Sequence, residues 1–267
     1  MKKILLVLFF GICFFHFEGF SQKLEHDWEN YVVSIKDKPV SINVDLGLKP
    51  AVPVIDLPLV IIVRLKLKQP NAFGMPEQDE LGQLDLLEEK LVASLSRGQG
   101  ALYVGRFTQR GIREFYFYTN DTLGYRGTIY SAFEVFSQYE WLAQAKKDQD
   151  WQNYLSVLYP SASEKLMIDG RRKLAIYQSK NVNLTKVSIS HFFEFAKEDA
   201  CKKFLQSEVC SKFTVNQLFK KPDGSAFSLV LYVSTTVNRE WLEKTIPVLF
   251  SESKKHGGLY KGWEIDQ

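Results

Sequence analysis

Imidazole can act as acid, base or metal ligand near neutral pH, which makes His191 the first residue to weigh. It belongs to an alternating run in which Val187, Ile189, His191, Phe193 and Phe195 share one face of a strand. That parity turns the ring toward the helices of a two-layer fold and predicts a core histidine. No Ser or Cys nucleophile stands at a recognisable spacing from a base and a carboxylate, so no catalytic residue is assigned. Neither Cys201 with Cys210 nor any close pair of histidines gives metal-ligand spacing, so no metal and no other cofactor is expected. Gly98-x-Gly100 followed by Gly105 has the composition of a phosphate cradle, but such loops follow a strand and open a helix. Here a helix precedes and a strand follows, so these glycines read as a helix stop and a strand position.

The run Phe115-Tyr116-Phe117-Tyr118 says more. Alternation places the two Phe on one face and Tyr116 and Tyr118 on the other. With the Phe face packed under helices, the Tyr pair is expected on the open face of the sheet. There it could meet a protein, a ligand or the other half of the chain. Exposed aromatics on such a sheet can also stack nucleobases. The stretch lacks the Lys/Arg-Gly-Phe pattern of those readers, and the net charge is only +3, so no nucleic-acid partner is expected.

Hydrophobic periodicity supplies the elements that must hold these side chains. Residues 28–35 and 40–46 read as strands joined by the polar turn Lys36-Asp37-Lys38-Pro39, and a Pro-punctuated loop follows through Pro50, Pro53 and Pro58. Residues 59–67 form a β-branched strand. Residues 78–97 form a helix with Leu81, Leu84, Leu87, Leu91 and Leu95 at 3–4 spacing. Strands at 101–108 and 112–118 make a hairpin, residues 122–136 are helical, and 139–145 is a strand. After Pro160 come a helix at 163–178, a strand at 186–195, a helix at 197–208 and strands at 213–219 and 226–233 closed by Pro222-Asp223-Gly224. A helix from the cap Asn238 to about 256 and a strand at 259–265 complete the chain. Each half therefore carries a β-α-β-β-α-β order, the ferredoxin-like arrangement, with a four-stranded antiparallel sheet and two helices on one face. The expected class is α+β, two tandem ferredoxin-like domains with an extra N-terminal β-hairpin.

Composition agrees. Of 267 residues, 45% are hydrophobic and 24% charged, which excludes disordered, collagenous and disulfide-scaffold classes and allows two domains with real cores. The N-terminus reads as an address. A basic start at Lys2-Lys3, an apolar run over 4–17 and small residues at Gly19 and Ser21 form the three parts of a secretory signal peptide, cut after Ser21. The run is about 14 residues, short of the roughly 18–20 that span a bilayer. The expected domains are therefore a leader at 1–21 and folded units at 22–160 and 161–267. In the mature chain Cys201 lies on a helix that carries it about 8–12 Å from Cys210, so two buried thiols are expected rather than a bridge.

WENYVV at 28–33, KPVSINVDLGL at 38–48, LYVGRFTQRGIREFYFY at 102–118 and LYPS at 158–161 resemble the bacterial domain-of-unknown-function family 695. ISHFFEF at 189–195, EDACKKFL at 198–205 and GGLYKGWEID at 257–266 resemble the family of the regulator of ribonuclease E activity B. The second resemblance implies a ferredoxin-like module without catalysis of its own, since that family includes a protein that binds and inhibits a cytoplasmic endoribonuclease. An exported chain does not meet that enzyme, so the partner is not implied. The expectation is an exported (periplasmic or extracellular), non-catalytic binding or regulatory protein. Its partner would be a protein in the cell envelope or outside, with no membrane span after cleavage. The alternative is a small-molecule binder or hydrolase using an inter-domain cleft that gathers His191, Arg64 or Arg106 with carboxylates.

Overall fold

The computed structural model describes residues 25–266. The expected leader at 1–21 lies outside them. Among the described residues no helix is long and apolar enough to cross a membrane.

The first half opens with the hairpin β1 (Trp28–Ile35) and β2 (Lys38–Asp45), whose turn places Lys36 and Asp37 at positive φ. Then follow β3 (Leu59–Lys66), α1 (Gln78–Gln99), β4 (Leu102–Gln109), β5 (Ile112–Thr119), α2 (Tyr125–Phe133) and β6 (Trp141–Lys147). The sheet order is β1-β2-β4-β5-β3-β6. Its last four strands have the ferredoxin-like order, and the hairpin extends the same sheet through β2 and β4. Gly105 makes that junction possible. It sits at φ +147 in a bulge, and a Cβ there would stand 2.3 Å from the Asn43 carbonyl oxygen. Gly100, at φ +56, ends α1 in a left-handed cap, so both glycines do what their order in the sequence predicts.

The second half begins with α3 (Ala162–Ser179), opened by a capping box between Ser161 and Glu164. It continues through β7 (Val187–Phe195), α4 (Glu198–Leu205), β8 (Thr214–Lys220), β9 (Phe227–Thr235), α5 (Arg239–Lys255) and β10 (Gly258–Ile265). Its separate sheet runs β10-β7-β9-β8, again ferredoxin-like. Gly170 lies inside α3, on its side toward α5. A Cβ there would lie 2.9 Å from Ile246 Cδ1, so glycine lets α3 cross α5 closely. The helix expected at 197–208 stops at Leu205, and a 3-10 turn, Glu208–Lys212, follows. The strand expected at 139–145 lies two residues later, because Tyr139 turns inward to the α1 core instead.

One expectation needs correction. The second face of the first sheet is not open. Asn153–Leu158 forms a π-helical segment, and together with 46–58 and the start of α3 it roofs that face. Tyr116 and Tyr118 are buried beneath it with Trp151 and Tyr154. The first half is therefore three layers deep. α3 joins both cores, with Ile168 under the first sheet and Leu174 under the second.

Candidate functional site

The residues singled out by type do not converge. His191 is fully buried; its Nδ1 pairs with Tyr260 Oη at 2.8 Å, and its ring packs between Phe213 and Trp241. Burial lowers its pKa to about 3, so the ring is neutral at ordinary pH and out of reach of a substrate. Arg64 is held on the surface by Glu114, with Nε donating at 2.8 Å. Arg106 donates to Glu88 Oε2 at 2.5 Å, and Tyr103 Oη donates to the other oxygen of that carboxylate at 2.8 Å. Trp263 fills the second core.

What remains open is one face of the second sheet. The helices cover the face that carries Ile189, His191, Phe193 and Phe195. The opposite parity places Phe192 beside Val230, and Ser228 between Glu194 and Phe219. Phe192 and Phe219 are 36% and 46% exposed, high for large apolar rings on a folded surface. They border a shallow cavity of about 290 Å³ that also touches Gln217 and Lys261. On its rim Lys221 Nζ lies 2.6 Å from Glu194, and that bond holds the Glu194 carboxyl below its usual range. The strand β8, exposed along its whole length, forms one edge of the sheet, with β10 at the other. The floor is apolar and the rim carries a paired charge, and no nucleophile and base are brought together there.

A second concavity, of about 570 Å³, lies between the halves. Asn30, Tyr31 and Val32 of β1 form one side, Glu164, Met167 and Arg171 of α3 the other, and Arg239 and Glu243 of α5 close it. It contains none of His191, Arg64 or Arg106. Arg239 and Glu243 pair with each other, with Nε donating to Oε1 at 2.8 Å, while Glu164 Oε2 accepts from the Ser161 backbone N–H at 2.6 Å.

Sequence reasoning passed over Phe192, Phe219 and Arg171. The first was within reach, since the parity that buries His191 turns Phe192 outward. Phe219 needed the strand order, which alone shows that β8 is an edge. Arg171 needed the packing of α3 against β1.

Comparison with known proteins follows the same division. The model of a family described as Family of unknown function (DUF695) matches residues 26–159, and that of Regulator of ribonuclease activity B matches residues 171–265. None of the curated proteins compared with the chain matches it. Among solved structures, a crystal structure of a candidate glycine cleavage system transcriptional repressor aligns over 78% of this chain and 98% of its own. Its identity is 8% and its TM-score 0.20, too low to bear on fold or function.

Proposed function

We propose that this chain, which belongs to the family of unknown function DUF695 and carries a C-terminal unit matching the regulator of ribonuclease activity B, is an exported, non-catalytic binding protein with a regulatory role. Its partner is another protein, in the cell envelope or outside the cell. The observation that carries this reading is the bare face of the second sheet, where Phe192 and Phe219 stand exposed within the unit that matches a regulator. Export rests on the basic start, apolar run and small-residue site at 1–21.

The test is affinity capture with the chain lacking residues 1–21, from an envelope fraction, followed by mass spectrometry. One stoichiometric partner is expected, and Phe192→Glu with Phe219→Glu should release it. Equal retention by that double variant would move the interface elsewhere. Recovery of no partner, together with turnover in a broad hydrolase screen, would overturn the binding reading. Fractionation of cells producing the full chain, with the mass of the mature N-terminus, checks the compartment.

A further inference from the structure

The strand pairings map the bare face of the second sheet row by row. Leu259, Glu194, Ser228 and Phe219 stand side by side across its four strands, and Gly262, Phe192, Val230 and Gln217 form the next row. Phe192 and Phe219 therefore flank the shallow cavity over Ser228 and Val230.

The second row departs from plain alternation at β10. Tyr260 packs into the core opposite Phe193, and Trp263 does so opposite His191. Between them two residues, Lys261 and Gly262, fill the place of one, which makes a bulge. Gly262 sits at φ +108, a conformation that side chains rarely adopt. The bulge brings Lys261 into the lining of the cavity, beside Phe192.

Lys261 is also the charge left over. Glu194, the acid of the same lining, is held by Lys221 Nζ at 2.6 Å, and Lys261 acts on it only at longer range. Asp223, at the turn before β9, accepts from Ser225 N at 2.9 Å and from Ser225 Oγ at 2.7 Å. Lys261 is exposed and, among the described residues, forms no ion pair. A carboxylate arriving from a partner pairs with such an ammonium, whereas a second cation is repelled by it.

We propose that this face takes an acidic, apolar segment of the partner protein. An apolar side chain seats over Ser228 and Val230, between Phe192 and Phe219, and a neighbouring carboxylate meets Lys261. The assignment rests on the face being the binding surface and names the chemistry of what binds there. The apolar seat supplies most of the contact, and Lys261 selects the sign of the charge beside it.

The test titrates the chain from residue 22 onward with end-blocked Gly-Asp-Leu-Asp-Leu-Gly, followed by backbone amide NMR. The same peptide with Asn, or with Lys, in place of Asp serves as the comparison. The Asp peptide is expected to shift the signals of Phe192, Phe219 and Lys261. At low salt it should bind about fivefold tighter than the Asn peptide, with the Lys peptide weakest, and molar salt should shrink the difference. Lys261→Gln should level the Asp and Asn peptides, and Lys261→Glu should put the Lys peptide first. Equal binding of all three peptides at that face, or an order that Lys261→Glu leaves unchanged, would overturn the acidic assignment while the face still binds. Shifts confined to other surfaces, or none at millimolar peptide, would overturn it too. The face itself is judged separately, by whether Phe192→Glu with Phe219→Glu releases the captured partner. A dimer closed over Phe192 and Phe219 that the Asp peptide does not dissociate would also overturn the proposal.

Discussion

Trp151 lies flat on Tyr118, with ring centroids 3.8 Å apart and planes 8° from parallel. The Tyr118 hydroxyl donates to Asp148 Oδ2 at 2.6 Å and accepts from the Tyr154 backbone N–H at 3.2 Å. The stack fastens the π-helical segment over the first sheet and takes the Tyr stripe out of solvent. Trp151 is fully buried, so Trp151→Ala is expected to cost about 3–5 kcal/mol in urea unfolding. Trp151→Phe, which keeps a ring over Tyr118, should cost clearly less. A loss under about 1 kcal/mol for the alanine variant would show that the roof is not part of the core.

His191 makes stability depend on pH in a direction that can be worked out. Its folded pKa, about 3, lies below the ordinary value of 6.5, because burial disfavours the imidazolium. Below about pH 6.5 the unfolded chain takes up a proton that the folded chain refuses. Stability is therefore lost as pH falls from about 6.5 toward 3. Between pH 7.5 and 4.5 this one group should account for about 2–3 kcal/mol, at roughly 1.4 kcal/mol per pH unit. In His191→Phe the fall over that range should shrink by a similar amount. An unchanged slope in the variant would mean that the ring is protonated in the folded protein.

Much of the layout was legible from periodicity, and the failures have physical causes. His191 and Ile189 were placed by parity alone, and the α1 leucines by 3–4 spacing, because both patterns report a face that must be buried. Tyr116 and Tyr118 were misplaced because parity says which residues share a face, not what covers it. Their cover, Asn153–Leu158, is too short and too wide a helical turn for a 3.6-residue period to reveal. The cleft at β1 was equally invisible, since it arises where α3 packs across a strand more than 130 residues away, as the Arg172–Glu29 bond shows.

Arg172 forms that cross-chain clamp. Its Nη1 and Nη2 donate to the two Asp27 oxygens at 2.9 Å each, and its Nε donates to Glu29 Oε2 at 2.7 Å. The hydrogen bonds to Arg172 hold the Asp27 carboxyl below its usual range, so the contribution is present at neutral pH and fades as acid protonates Asp27. Both side chains are more than a third exposed, which screens the pair to about 1 kcal/mol. Arg172→Met should lose about that much at low salt and less at 1 M NaCl, and it should speed amide exchange at Asn30 and Tyr31. A loss that does not change with salt would assign the effect to packing of the side-chain stem instead.

Cys201 and Cys210 bear on export as well as on packing. Both are free and buried in the second core, beside Phe204. Burial raises both thiols, Cys201 to about 11, so little thiolate forms at neutral pH. Thiolate is the species that attacks alkylating agents and disulfides, so an oxidising compartment leaves these thiols unchanged while the fold holds. The chain from residue 22 onward, purified without reductant and alkylated after unfolding, is expected to take up two labels by mass. Labelling of the folded protein should be about 100-fold slower than in urea. An intact mass lower by two hydrogens, with no labels taken up, would mean that a bridge forms after all, and that the turn at Glu208–Lys212 moves to let it.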